Sequence, residues 1–130
     1  MVERLRIDQV GTSEFLDTIH ALLANSARRN ALRYLTTHRE PVSVDRLAIE
    51  LVAVEAGVDA AAVRPEQRRD VGLRLRHVHL PMLHDAGVVD WNRDSDLIAL
   101  TPLLEHLSVA IPNPGDVLGV SVTVRPEPNH

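Results

Sequence analysis

The sequence predicts an α+β fold in which helices are followed by a small β-hairpin. Apolar residues recur at helical spacing in four segments between positions 14 and 86, which predicts four amphipathic helices. Two short apolar runs, residues 88–91 and 97–100, flank the polar run Asn92-Arg93-Asp94-Ser95-Asp96, whose composition is typical of a turn. We therefore expect a helical core with a hairpin directly after its last helix.

The longest predicted helix covers residues 65–87, and the rest of the chain is organised around it. Pro65 suits the first helical position, where its missing N–H costs nothing, and Gly87 supplies a left-handed stop. Pro81 removes one backbone hydrogen bond inside this helix, so we expect a kink there. At 100° per residue five apolar side chains share one stripe, which we expect to be the buried face: Val71, Leu75, Val78, Met82 and Ala86.

Three shorter helices are predicted before the long one. The third of them follows a short strand at Val42 and ends at Gly57. The connection that follows, residues 58–64, is longer than the turn of a compact helix-turn-helix, which has about 3–4 residues. The predicted N-caps and spans are Ser13 for residues 14–24, Asn25-Ser26 for residues 27–38 and Ser43 for residues 44–56.

After the hairpin, Thr101 is predicted to cap a last helix over residues 102–110. Residues 116–124 have the valine-rich composition of a strand, and the polar residues after them are expected to be disordered. The predicted organisation is a flexible arm, a domain with flanking helices, and a C-terminal strand with a disordered tail, over residues 1–13, 14–111 and 112–130 respectively.

This order of elements outlines a winged helix-turn-helix, a three-helix core with a β-hairpin wing, here with an extra N-terminal helix and a C-terminal helix or strand. Residues 44–56 would be the positioning helix, residues 66–86 the recognition helix and residues 88–100 the wing. The outer elements, residues 15–23 and 103–124, carry more apolar side chains than such a core needs. We expect them to form a homodimer interface.

The composition excludes several classes of protein. The chain of 130 residues is long enough for one domain with its own core, and the absence of cysteine excludes disulfides and thiolate metal sites. No apolar run approaches the roughly 20 residues of a membrane span, and the N-terminus lacks the apolar region of a signal peptide. We expect a cytoplasmic protein that does not bind membranes.

The charges are distributed unevenly around a net charge of −4. Residues 26–100 carry 11 Arg and 11 Asp or Glu, whereas residues 64–79 carry five Arg against Glu66 and Asp70, a local charge of +3. A basic stripe on a neutral domain can face the phosphates of a nucleic acid. All 14 basic residues are Arg, which suits bidentate phosphate contacts, but a GC-rich genome produces the same bias and is the simpler explanation.

Six side chains are the predicted contacts with double-stranded DNA: Arg68, Arg69, Arg74, Arg76, His77 and Arg93. On a helical wheel Arg69, Arg76 and His77 share the side opposite the apolar stripe and would face the major groove. Arg68 and Arg74, at the edges of the helix, would reach phosphates. Arg93 lies at the tip of the predicted wing and would contact the minor groove or the backbone.

Three closely spaced histidines do not form a metal site on a regular helix. His77 and His79 diverge by about 200° around the axis, and His77 and His84 lie about 10 Å apart along it, too far to bind one ion. His79 lies near the apolar stripe, so we expect a hydrogen-bonded structural histidine. No metal or cofactor is predicted.

Catalytic motifs are absent as well: the chain has no glycine-rich phosphate loop, no Gly-x-Ser-x-Gly turn and no His-Glu-x-x-His element. We do not expect an enzyme.

Trp91, the only tryptophan, is interpreted as a core or interface anchor. The carboxylates near the hairpin are interpreted as turn formers: Asp90, Asp94 and Asp96.

The run HLPMLHDAGVV, from His79 to Val89, resembles the end of the recognition helix in ArsR-like winged helix-turn-helix regulators of prokaryotes, where a His-Leu-x-x-Leu-x-x-Ala-Gly-Leu-Val run occurs. The run HVHLPML, from His77 to Leu83, resembles a His-x-His-Leu-Pro-x-Leu element of an uncharacterised winged-helix-type domain family of halophilic archaea. That second, closer resemblance covers residues 23–100. Both resemblances imply a winged-helix fold and, by analogy, DNA binding.

The resemblance and the basic stripe together predict a DNA-binding transcriptional regulator that occupies an operator. A dimer would present two recognition helices to successive major grooves, about 34 Å apart. The alternative is a winged-helix protein–protein interaction module without DNA binding. In that case the arginines form a solvated surface, and Leu73 and Leu80 on the same side of the helix dock a partner.

Overall fold

A computed structural model describes residues 12–103 in full and the backbone of residues 107–110 and 121–124. The predicted α+β class is confirmed, because helical segments precede a small antiparallel sheet. The helices are α1 (Ser13–Leu22), α2 (Ser26–His38), α3 (Val44–Ala56), α4 (Pro65–Arg74) and α5 (Leu80–Asp85), and the strands are β1 (Val42–Ser43), β2 (Val89–Asn92), β3 (Leu97–Leu100), β4 (Leu107–Ala110) and β5 (Ser121–Val124).

The main sheet has three antiparallel strands in the order β1-β3-β2. Strand β3 is central, since Ile98 lies opposite Val42 on one side and opposite Trp91 on the other. The short strand at Val42 and the hairpin are therefore confirmed, with β2 shifted by one residue from its predicted position. Strands β4 and β5 pair with each other in a second, two-stranded antiparallel sheet.

Side-chain caps define the starts of the first three helices. The side chains of Asn25 and Ser43 accept hydrogen bonds from backbone N–H groups in the first turns of α2 and α3, as predicted. Helix α1 differs by one residue, because Thr12 is its N-cap and accepts a hydrogen bond from the Phe15 N–H at 3.1 Å. The predicted cap, Ser13, is the first helical residue. Both residue types cap well, so the sequence pattern did not distinguish them.

The segments α4 and α5 are joined by a π-helical turn, Leu75–His79, and the three together are called the long helix, residues 65–85. In this turn the N–H of Leu80 donates to the carbonyl oxygen of Leu75, five residues earlier. The turn ends two residues before Pro81, which carries no N–H. The predicted irregularity is thus a π turn, and Pro65 and Gly87, whose φ is +84°, lie at the two ends as expected.

The π turn changes which side chains of the long helix are buried. Val78, expected in the apolar stripe, is 50% exposed, whereas Leu80, expected on the opposite side, is completely buried. The prediction for these two residues was wrong because it assumed 100° per residue along the whole helix. A π turn contains an additional residue and rotates everything after it relative to that pattern.

One hydrophobic core connects α1, α2, α3, the long helix and the main sheet. Helix α1 contributes Phe15, Ile19, Leu22 and Leu23, each no more than 3% exposed, so its apolar face is already buried within the protomer. The largest completely buried side chains from the other elements include Leu35, Leu47, Leu75, Leu83 and Ile98.

The predicted C-terminal helix is wrong over its second half, because Leu107–Ala110 form a strand that pairs with Ser121–Val124. The strand expected within residues 116–124 is observed as β5. Thr101 caps no such helix: its hydroxyl lies 2.6 Å from the carbonyl oxygen of Gly87 and connects the end of β3 to the end of the long helix. The predicted arm, apart from its last two residues, and the predicted tail beyond residue 124 lie outside the described residues.

Candidate nucleic-acid interface

Three of the predicted contact residues, Arg68, Arg69 and Arg74, are exposed on α4. Within the described part of the chain, none of their guanidinium groups forms an ion pair or a side-chain hydrogen bond. Helix α4 packs against α3, and this contact leaves the three arginines at the surface. Their charges are therefore available to an anionic partner.

Gly72 explains how the helix accommodates a further arginine. A Cβ atom at this buried position would lie 4.0 Å from the Cβ of Ala48 in α3 and 3.0 Å from Nη1 of Arg76. The guanidinium of Arg76 thus lies over the glycine, in space that a larger residue would occupy. This directs Arg76 towards the hairpin and α3.

Arg76 is held by carboxylates of two other elements. Its Nη2 donates to Asp96 Oδ2 at 2.6 Å and to Asp45 Oδ1 at 3.3 Å, and its Nε donates to Asp96 Oδ2 at 3.1 Å. Hydrogen bonding to Asp96, and secondarily to Asp45, raises the pKa of Arg76 above its ordinary value. Its side chain is 31% exposed. Arg76 is therefore internally paired, unlike the arginines of α4.

Asp96 occupies the junction between the hairpin, the long helix and α3. Its Oδ1 accepts a hydrogen bond from Trp91 Nε1 at 3.2 Å, while its Oδ2 accepts those from Arg76. Its carbonyl oxygen accepts from the N–H of Val44, the first residue of α3, at 3.1 Å. Its φ of +58° is a left-handed conformation that Asp tolerates better than most residues. Asp96 is thus more than the turn former that the sequence predicted.

Arg93 is exposed in the hairpin turn, with its guanidinium carbon 4.6 Å from the ring centroid of Trp91. This distance is typical of a cation–π contact. Trp91 is 8% exposed and belongs to the hydrophobic core, so its interpretation as a core anchor is confirmed. The turn itself is closed by Asn92, whose Oδ1 accepts hydrogen bonds from the N–H groups of Asp94 and Ser95.

The neighbouring histidines His77 and His79 have opposite environments: His77 is exposed and His79 is 7% exposed. Nδ1 of His79 lies 3.3 Å from Nη1 of Arg28, a buried residue of α2. Burial, and then the charges of Arg28 and Arg74, lower the pKa of His79. The prediction of a hydrogen-bonded structural histidine is confirmed.

Arg28 was missed by the sequence analysis. It is 8% exposed, burial lowers its pKa, and its Nη2 donates to the carbonyl oxygen of Ala21 at 3.3 Å. One signal could have identified it, because Arg28 precedes the buried residues Ala31, Leu32 and Leu35 at helical spacing and so continues the apolar stripe of α2. A charged residue in such a stripe indicates a buried polar contact.

The surface proposed for the alternative function is only partly present. Leu73 is 49% exposed, but Leu80 is completely buried. Across residues 12–103, no three His, Asp or Glu side chains are grouped closely enough to hold a metal ion. Every helix in the described ranges is too short or too polar to cross a lipid bilayer.

Residues 20–99 match the profile of a family described as a domain of unknown function, DUF7344. The chain belongs to the DUF7344 family. The matched region starts in the last turn of α1 and ends in β3, so the DUF7344 domain contains α2, α3, the long helix and the main sheet. All six predicted contact residues lie inside it. Comparisons with curated proteins and with solved structures found no match.

Proposed function

We propose that the DUF7344 domain of this chain is a winged helix-turn-helix that binds double-stranded DNA. Helix α3 is the positioning helix, the long helix is the recognition helix and the β2–β3 hairpin is the wing. The topology supports this assignment, since β1 lies between α2 and α3 and pairs with β3, and the hairpin directly follows the long helix.

The observation that carries the proposal is the set of exposed arginines that form no ion pair within the described chain: Arg68, Arg69, Arg74 and Arg93, the last of which lies against the Trp91 ring. The contact between Arg76 and Asp96 anchors the hairpin, which carries Arg93, to the helix that carries the other three. Two elements that are connected in this way can bind a single polyanion. DNA phosphates satisfy such groups and release counterions when they do so.

The pairing of Arg76 favours contacts with phosphates over contacts with bases. Because Arg76 donates to two carboxylates of its own chain, reaching a base edge would require breaking those bonds. Arg69 and the exposed His77 remain the candidates for the major groove. We therefore propose that phosphate contacts supply most of the affinity.

We further propose that the protein regulates transcription by occupying DNA as a homodimer. The apolar face of α1 is buried in the protomer's own core, so of the two outer elements the C-terminal one, which contains β4 and β5, is the proposed dimer contact. Two-fold symmetry would then present two long helices to the duplex.

A gel-shift titration at low ionic strength tests the DNA contact. We expect Arg69→Ala and Arg74→Ala each to weaken binding by about three- to tenfold, which corresponds to roughly 1 kcal/mol for the loss of one contact with DNA. The charge-matched control is Arg39→Asn, at the end of α2, where φ is +59° and Asn is tolerated. Absence of binding by the wild-type protein, or equal losses in all three variants, would contradict the proposal.

A second candidate function is a protein-interaction module. It is favoured by one observation, since Leu73 and Val78 on the long helix are 49% and 50% exposed. In this case Leu73→Ser would abolish association with a protein partner, whereas Arg69→Ala and Arg74→Ala would leave it intact.

A further inference from the structure

The hairpin is short, and its turn, residues 93–96, contributes no buried side chain to the core that anchors its strands. Strands β2 and β3 have four residues each, and only β1, with two residues, extends their sheet. A ribbon of this size is weakly restrained by its own pairing. Polar contacts between the turn and the long helix therefore add to the restraint on where the turn lies.

Asp96 supplies contacts that restrain the turn from both sides. One carboxylate oxygen accepts from Arg76 of the long helix, and the other accepts from the indole N–H of Trp91, which lies in β2 of the same hairpin. Trp91 in turn lies against the guanidinium of Arg93 at 4.6 Å. A continuous chain of contacts thus runs from the long helix through Asp96 and Trp91 to the exposed arginine of the turn.

We propose that Asp96 is a positioning residue, which holds the wing against the long helix and thereby presents Arg93 to a DNA phosphate. This inference rests on the proposed function. It identifies a carboxylate that strengthens the binding of a polyanion, although its own charge repels one. It also explains why Arg76 is paired: its guanidinium fixes the wing and neutralises Asp96.

The direction in which DNA affinity changes when the Asp96 carboxylate is removed distinguishes positioning from simple electrostatics. Removing a negative charge near a DNA-binding surface strengthens binding when charge alone matters. Removing the carboxylate of Asp96 weakens binding when positioning matters. The variant Asp96→Asn tests this, because Asn tolerates the left-handed backbone at this position. In the wild type, Arg76 and Trp91 donate to different oxygens of the Asp96 carboxylate. The Asn amide has only one acceptor oxygen, so it cannot accept from both donors in the same way.

The matched control is Asp94→Asn. Asp94 lies in the same turn, is exposed and has no side-chain partner among the described residues. Both substitutions change the net charge by the same amount. We expect Asp94→Asn to bind a short mixed-sequence duplex at least as tightly as the wild type does, and Asp96→Asn to bind it about fivefold more weakly. Arg93→Ala should reduce the affinity for the duplex less in the Asp96→Asn background than in the wild type.

Trp91 provides a second readout that does not involve DNA, because it is the only tryptophan. We expect Asp96→Asn to increase quenching of its fluorescence by acrylamide, a neutral quencher whose approach does not depend on charge. Arg76→Lys keeps the positive charge but loses the two-nitrogen contact with Asp96, and should increase quenching in the same way. If Asp96→Asn does not fold, quenching in Arg76→Lys tests the inference in its place.

The outcomes separate this inference from the proposed function. Wild-type binding together with an Asp96→Asn variant that matches Asp94→Asn in affinity and in quenching would overturn the inference alone. Unchanged quenching in Arg76→Lys would overturn it in the same way. A wild-type protein that does not bind the duplex would overturn the proposed function, and with it this role of Asp96.

Discussion

At the scale of single residues, the contact between Arg28 and His79 makes folding depend on pH. His79 accepts from a guanidinium in a buried site, and protonation would place two positive groups 3.3 Å apart. Burial and the charges of Arg28 and Arg74 therefore keep the pKa of His79 below 6.5, its ordinary value. The unfolded chain has no such restriction.

Acid should destabilise the protein through this residue. The free energy of unfolding includes the full contribution of His79 above pH about 6.5 and loses it as the pH falls through the lowered pKa, because the unfolded chain then binds more protons. A single site changes this free energy by at most about 1.4 kcal/mol per pH unit. Urea unfolding at a series of pH values from about 7.5 to about 5 measures the effect, because a histidine titrates within roughly this range.

The control for this prediction is His79→Asn, which keeps an acceptor for Arg28 and does not titrate. Its stability should depend less steeply on pH than that of the wild type, whatever its absolute value. Equal slopes in the two proteins would show that other groups cause the acid sensitivity.

At the scale of the secondary-structure elements, the π turn sets the register of the long helix. Regular helical spacing would bury Val78 and expose Leu80, and the structure has the reverse. His79 in the core and His77 outside agree with either register and do not distinguish the two. The interface of the long helix with the core after residue 75 therefore depends on this one irregular turn.

Two alanine substitutions test this register. Leu80→Ala should lower the free energy of unfolding by about 2–5 kcal/mol, because it removes completely buried methyl groups and leaves a cavity. Val78→Ala should change it by no more than about 0.5 kcal/mol, since half of that side chain is already in water. Chemical denaturation of both variants measures the difference. A larger loss for Val78→Ala than for Leu80→Ala would contradict the π turn and support an uninterrupted α-helix.

At the scale of the whole molecule, a net charge of −4 means that the proposed DNA binding must come from a local group of cations. Four arginines are exposed and form no ion pair within the described residues: Arg68, Arg69, Arg74 and Arg93. Each phosphate contact contributes about −0.9 to the slope of log K against log salt concentration. The slope therefore reports the number of protomers on the duplex.

We expect a slope of roughly −3.6 for a monomer that uses all four arginines and roughly −7 for a dimer. Anisotropy titrations over a series of potassium chloride concentrations give the slope, and light scattering gives the mass of the free protein. A slope near zero would exclude phosphate contacts, and a monomer by both measurements would exclude the proposed dimer.

Much of the fold was predictable because its signals are local. Caps at Asn25 and Ser43, the left-handed ends at Gly57 and Gly87, and the apolar runs around the polar turn all act within a few residues of the chain. The exposure of Arg69 followed from its place opposite the apolar side of α4. Such features depend on backbone geometry and local spacing, which a single sequence contains.

By itself, then, the sequence determined the α+β class, most helix boundaries and the hairpin. Only the tertiary structure decided that Arg76 binds Asp45 and Asp96, that Arg28 binds His79, and that residues 107–110 form a strand. The side-chain contacts join residues that are far apart in the sequence: 20 positions for Arg76 and Asp96, 31 for Arg76 and Asp45, and 51 for Arg28 and His79. Which distant groups meet depends on how the helices pack, and beyond residue 75 that packing depends on a π turn that periodicity does not show.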